Sequence, residues 1–263
     1  MGGWRAAGAP GVPACDRERR LPPGCITSPP SRFVAAPAMV ILSPHPDDAV
    51  FSCGHLLANR PDSTVVTVFA GLPEEDSPLT DWDERCGFIS GRVAMQTRRD
   101  EDAQALGLLG VTPMWLDFLD AQYGSSPSPH ELGEALLDTL RTLDDPPVVL
   151  PMGLFHSDHL LVHEAALWAL RRSVTNWTVH LYEDIPYRRL PGLLQQRLQT
   201  LATLGLEATP STMVVSPVER LKARAVSSYV SQLRALGAEG LSDLTRPERL
   251  WDLQGACGGV DGS

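Results

Sequence analysis

The chain has no apolar run approaching the roughly 20 residues a helix needs to cross a bilayer. Its opening stretch also lacks the apolar core of a signal peptide. No membrane partner is therefore expected. Positive charge is short: 22 Lys and Arg stand against 32 Asp and Glu, a net −10. Phosphates are held by clustered Lys and Arg, so no nucleic-acid partner is expected either. Cysteine is sparse and odd in number, five with scattered spacing. That is no disulfide framework, and it points to a reduced, cytoplasmic setting. No internal repeat is present, and no Gly-x-Gly-x-x-Gly follows the first apolar strand. Dinucleotide binding has little support without it.

What is present suits one domain. At 263 residues, with 43% hydrophobic content, a single α/β unit is the simplest assignment. Apolar runs predict strands at 40–42, 65–69, 114–116, 148–150, 179–182 and 213–215. Helical patterns follow after residue 48, over 94–109, along Leu132, Leu136, Leu140 and Leu143, after His159, and over 190–204 and 218–236. Such alternation implies an α/β, Rossmann-like fold, a mostly parallel sheet with helices on both faces. The first 38 residues differ. They are rich in proline, carry a net +3 (five arginines against Asp16 and Glu18), and show little periodicity. Much of this stretch is expected to be disordered, or translation to begin at Met39.

The most informative stretch is Ile41-Leu42-Ser43-Pro44-His45-Pro46-Asp47-Asp48. A short apolar strand ends in a turn carrying one imidazole and two adjacent carboxylates. The carboxyl ends of strands are where an open α/β sheet places its chemistry. A second turn repeats the pattern. Val148, Val149 and Leu150 lead into His156, Asp158 and His159, and an apolar helix follows. An aspartate before a helix is most often only an N-cap, and either turn alone could be that. Two at equivalent positions fit a metal site of three His and carboxylate ligands plus water. His45 and Asp48 lie three apart across a helix start, which leaves Asp47 free to act as a base. His156 and His159 are three apart, while His159 and His163 form an alternative helical pair. His159 ranks above His163, which lies deeper in the helix. His55 reads as a helix-surface residue, and His130 and His180 lack metal-like neighbours.

Together, PHPDD and HSDH resemble the motifs of the PIG-L / LmbE-like family of zinc-dependent N-acetylglucosaminyl deacetylases. The run from Arg98 to Gly110 also matches that family's pattern through Arg98, Glu101, Ala105, Leu109 and Gly110. The resemblance covers about 39–253 as one deacetylase domain, with 254–263 as a flexible tail. It departs at Ala49, where many members carry Glu. It implies Zn2+ held by His45, Asp48 and His159, with other divalent metals able to substitute. It implies Asp47 as general base, His156 as acid or electrostatic partner held protonated by nearby acid, and Asp158 orienting a histidine. Arg98 would hold substrate.

Three loops follow strands where substrate contacts are expected. Gly71 to Gly91 is long and acidic, and reads either as a lid or as a solvated insertion. Asp117 and Asp120 could bind a sugar hydroxyl, and so could Asp184. Trp82, Tyr123 and Tyr187 could stack on a sugar or aglycone, or simply pack. The expected function is hydrolytic removal of acetyl from an N-acetylated amino sugar, on a small-molecule glycoside or glycosylated natural product. The acidic surface favours neutral or cationic substrates. The alternatives are an amidase on a related sugar conjugate, and a metal- or sugar-binding protein without catalysis. Oligomeric state is not readable from the sequence.

Overall fold

The computed structural model describes residues 38–256 except 125, 144, 145, 186 and 245, with backbone alone for 238 and 239. The expected disorder of the N-terminal stretch therefore falls, up to residue 37, outside the described residues, and so do 257–263 of the expected tail. Seven strands form one sheet: β1 (Val40–Ser43), β2 (Thr64–Thr67), β3 (Thr112–Trp115), β4 (Val148–Pro151), β5 (Val179–Tyr182), β6 (Glu207–Pro210) and β7 (Leu250–Gln254). Their order is β3-β2-β1-β4-β5-β7-β6. The first five are parallel, and β7 runs antiparallel to both β5 and β6. The α/β, mostly parallel architecture expected from the alternation is present.

Side chains alternate across this sheet as the period of two requires. Val40, Leu42, Val148 and Leu150 face one core, with α4 (Pro129–Arg141) and α5 (Ser157–Arg172). Ile41 and Val149 face the other, against α1 (Asp48–Ala58), α3 (Gly91–Leu109), α7 (Glu219–Val226) and α8 (Val230–Leu244). The short α2 (Asp81–Cys86) lies between β2 and α3, and α6 (Leu193–Thr203) adds Leu201 to the first core. From β1 the chain winds through β2 and β3 on one side, then crosses to β4 on the other. The crevice at the carboxyl ends of β1 and β4 is thus the topological switch point, where such sheets bind ligands.

Two expectations fail here. Residues 213–215 form no strand; Val214 is exposed, and the strand pairing with β7 is β6 instead. The pattern over 218–236 is two helices, broken at Ser227 to Tyr229. Tyr229 turns inward, fully buried, and donates its hydroxyl to Asp102 (2.8 Å). Its ring meets Phe51 edge-on.

The helix carrying the first motif is also interrupted. Cys53 in α1 leaves helical geometry (φ −132°), which frees backbone N–H groups just beyond it. Glu248, from the far end of the chain, accepts from His55 N (2.7 Å) and Leu56 N (3.1 Å), and pairs with Lys222 Nζ at 2.7 Å. Both side chains are buried. His55, expected on the surface, is buried as well and accepts from Val218 N. Removing one partner of a buried pair typically costs about 3–5 kcal/mol, whereas an apolar replacement of both is often near neutral. Glu248→Ala is therefore expected to lower urea-unfolding stability by roughly 3 kcal/mol. The double variant Lys222→Met, Glu248→Met should lose less than that single change.

Candidate active site

The pairing of β1 with β4, Val40 opposite Val148 and Ile41 opposite Val149, brings the two motif turns side by side. At the first turn, Ser43 Oγ donates to His45 O and accepts from Ala49 N, closing the loop between strand and helix. Asp48 Oδ2 accepts from His45 N at 2.9 Å. Asp47 stands at the cap position of α1, yet its side chain makes no capping hydrogen bond. The plain N-cap account therefore fails for it. Its backbone (φ 156°, ψ −33°) is one that L-residues seldom adopt, and its side chain lines the cavity above the turn.

His45, Asp48 and His159 meet there, with ligand atoms all within 4.8 Å of one another. Asp48 Oδ2 lies 3.1 Å from His45 Nδ1 and 3.2 Å from His159 Nε2. The opposite nitrogen of each ring rests on another carboxylate. His45 Nε2 is 3.0 Å from Asp158 Oδ2, and His159 Nδ1 is 2.7 Å from Asp184 Oδ1. A histidine that holds a metal with one nitrogen ordinarily gives the other N–H to a carboxylate or carbonyl, which fixes the ring. Two imidazoles and a carboxylate converging in this way fit a divalent metal with open positions. A second overlapping group joins His45, His156 and Asp158.

The charges agree with that fit. Burial opposes charge on His45 and His159, but the neighbouring carboxylates outweigh it. His45 is raised well above its ordinary value, and His159 is pushed up to about 9. Burial works on Asp48 in the opposite direction and is outweighed by the two histidines, so its pKa falls far below the usual range. Asp47 is raised well above that range by burial and then by the Asp48 charge. A cation at the centre relieves that repulsion.

For His156, expected to be held protonated, the surroundings act in the other direction. Burial and the neighbouring His45 and His159 lower its pKa. Its Nδ1 accepts from Asp158 N at the start of α5 (3.3 Å), so in the neutral ring the proton sits on Nε2. The Asp158 carboxylate serves His45 instead. His163 is not in the cluster; its Nδ1 binds Pro151 O at 2.8 Å in the core, and burial followed by the charge of Arg197 pushes its pKa down to about 3.

The cluster lies in a cavity of about 500 Å3, within the range of small-molecule sites. Arg98, Asp120, Tyr187, Trp82, Phe51 and Leu236 are among its walls. Among the expected substrate contacts, Arg98, Asp120 and Tyr187 reach it. Asp117 does not: it is exposed and pairs with Arg99 at 2.8 Å. Asp184 does not either: it is fully buried, holding His159 and accepting from Leu154 N. The Gly71 to Gly91 segment divides its roles. Glu74, Glu75 and Asp76 are solvated, while α2 presents Trp82 and Arg85 to the cavity. Trp82 Nε1 donates to Gln232 Oε1 (3.0 Å) on α8.

Asp83 has a role that nothing in the sequence marks. It is fully buried, accepts from Arg98 Nη2 at 2.7 Å and from the Tyr123 hydroxyl at 2.8 Å. It thereby ties α2 to α3 and sets Arg98 in place. Tyr123 serves this latch and does not line the cavity. An acidic loop offers several equivalent carboxylates, and nothing in their spacing marks the one that turns inward. Asp83→Ala takes the close partner from the buried Arg98 charge and leaves it only Asp120, 4.0 Å away, so a loss of roughly 3 kcal/mol is expected. Limited proteolysis should then cut within residues 72–90 faster than in the parent chain.

The family model described as PIG-L, GlcNAc-PI de-N-acetylase, matches residues 40–170, which contain both motif turns. A 2'-N-acetylparomamine deacetylase of Streptomyces fradiae is 29% identical over 215 residues, 73% of this chain and 72% of that protein. A triple mutant of a deacetylase of the teicoplanin biosynthetic pathway is 30% identical, with a TM-score of 0.62 over 82% of this chain and 97% of the other. A second structure from that pathway, a deacetylase complex, is 28% identical with a TM-score of 0.65, covering 82% and 97%. The chain belongs to the PIG-L family of de-N-acetylases and is a hydrolase of amide bonds.

Proposed function

We propose that this chain is a zinc-dependent hydrolase that removes acetyl from an N-acetylated amino sugar carried on a glycosylated natural product. One observation carries the reading: His45, Asp48 and His159 converge at the floor of a small-molecule cavity, with Asp47 beside them and free of any capping bond. The relatives, acting by name on an acetylated paromamine or belonging to teicoplanin biosynthesis, supply the substrate class. Among the described residues no helix is long and apolar enough to cross a membrane, and Cys53 and Cys86 are free and buried. The two free thiols agree with a cytoplasmic setting.

Amide hydrolysis requires an activated water, a stabilised oxyanion and a protonated leaving amine. His45, Asp48 and His159 would hold the metal, with Asp158 and Asp184 orienting the two rings. A bound zinc supplies Lewis acidity and lowers the pKa of water from 15.7 to about 7. Asp47 takes the proton of the attacking water at its carboxylate and returns it to the leaving nitrogen. His156 offers a neutral Nε2–H to the developing oxyanion, a donor that needs no reorganisation. Arg98, anchored through Nη2 to Asp83 and with Nη1 4.0 Å from Asp120, lines the cavity and would meet substrate there. Asp120 accepts from a sugar hydroxyl.

Metal analysis of the purified protein, coupled to acetate release from a panel of N-acetyl glycosides, tests this. The expected result is one metal per chain, and acetate with an equal amount of free amine. Absence of both bound metal and acetate would overturn the reading.

A further inference from the structure

Beside the cavity, one residue combines two unfavourable features. Phe155 is 64% exposed, so its ring gains little from folding. It also sits at φ +60°, in the left-handed region that bulky residues avoid. The reason for the φ is local. His156 N donates to Leu154 O at 2.7 Å, closing a three-residue turn about Phe155, the rare and strained γ form. Leu154 is held in turn by Asp184, which accepts its N–H at 3.0 Å. The anchor of His159 therefore also fixes the turn that presents Phe155. Strain of this kind persists where surrounding structure enforces it, and it clusters at ligand sites.

The exposed ring is not isolated. Its centroid lies 5.5 Å from that of Tyr187, with planes 34° apart. Tyr187 lies 6.0 Å from His156, with planes 26° apart. Tyr187 and His156 line the cavity, and Phe155 is beyond its lining. An aromatic strip thus runs from the metal-candidate cluster to solvent. The apolar Leu236 and Ala235, with Trp82, also line the cavity. The net charge of −10 opposes an anionic occupant.

We propose that Phe155 and Tyr187 form a subsite for a flat, apolar aglycone, an aryl group attached to the sugar whose N-acetyl group lies at the cluster. The proposal rests on the deacetylase reading for the placing of the sugar. Aromatic rings meet with a preference of their own, beyond area buried. A sugar with a small alkyl aglycone fills the inner cavity and leaves the strip bare; a sugar with an aryl aglycone covers both.

Two probes separate the possibilities: the methyl and the naphthyl glycoside of N-acetylglucosamine. Their binding to the full chain is measured by calorimetry, and acetate release is followed in parallel. The naphthyl glycoside is expected to bind about tenfold more tightly. Phe155→Ala should bring that ratio close to one, and Phe155→Trp should restore it. Metal content is measured in each variant, so that a collapsed site is not mistaken for a lost subsite. Equal affinity for the two probes in the parent chain, or a ratio unchanged in Phe155→Ala, overturns the proposal. Aryl-selective binding without acetate release supports the subsite and sinks the deacetylase reading. Acetate release from both probes without selectivity does the reverse.

Discussion

Asp47→Asn is expected to slow acetate release by roughly 10²–10⁴-fold, the range that a positioned general base contributes, while leaving the bound metal in place. The two parts of this result separate the roles of neighbouring carboxylates. Asp48 presents one oxygen to both imidazoles, and Asp47 belongs to neither ring's hydrogen bonds. Asparagine has the same shape, so the turn and its contacts survive; what disappears is the ability to accept a proton. The loss should fall on kcat, because substrate binding does not draw on this proton transfer. Near-normal turnover in the variant would sink the assignment of Asp47 as base.

Folding raises the pKa of Asp47, through burial and then the charge of Asp48. The folded chain therefore holds the proton more tightly than the unfolded one. Stability of the metal-free protein is full below the ordinary carboxylate pKa of about 4 and is lost as pH climbs from there through the raised value. Asparagine is neutral throughout and escapes that loss. Metal-free Asp47→Asn should match the parent chain in acid and exceed it at neutral pH, as measured by urea unfolding across pH. A more stable but inactive variant is the usual signature of a residue kept for chemistry.

His159→Ala is expected to abolish stoichiometric metal and reduce acetate release to background. This one change removes a ligand and also takes from the buried Asp184 the partner of its Oδ1, leaving it the Leu154 N–H alone. Asp184→Asn should be milder, weakening metal by roughly 10–100-fold, as loss of an outer carboxylate typically does. Competition with a chelator measures both. In the absence of metal the neighbouring carboxylates hold His159 protonated up to about 9, and that proton must leave before the nitrogen can bind. Affinity should therefore fall as pH falls. If His159→Ala retained tightly bound metal, the ligand set would have to be drawn from the overlapping group of His45, His156 and Asp158.

Some of this protein was legible in its residues. Short apolar runs ending in His-Pro-Asp-Asp and His-Ser-Asp-His specified two strand-to-helix turns, because alternating burial and helical periodicity are local properties of the chain. The parallel sheet followed from strands separated by helices. The candidate ligands followed from donor types and spacing, with the resemblance choosing among them. Other features depend on partners remote in sequence. Strand β7 forms only because β5 and β6 flank it. The helix at 218–236 breaks because Tyr229 finds Asp102, which lies 127 residues away. Asp184 and Asp117 are both aspartates following strands. Packing buries one under His159 and leaves the other on the surface with Arg99. Asp83 is one acid among several until Arg98 and Tyr123 meet it. By itself the sequence determined which groups can bind metal and move protons, since that chemistry belongs to the residue types. Tertiary structure alone decided which carboxylate orients, which latches and which is free to react, because burial and partners, not identity, set the charge and direction of each.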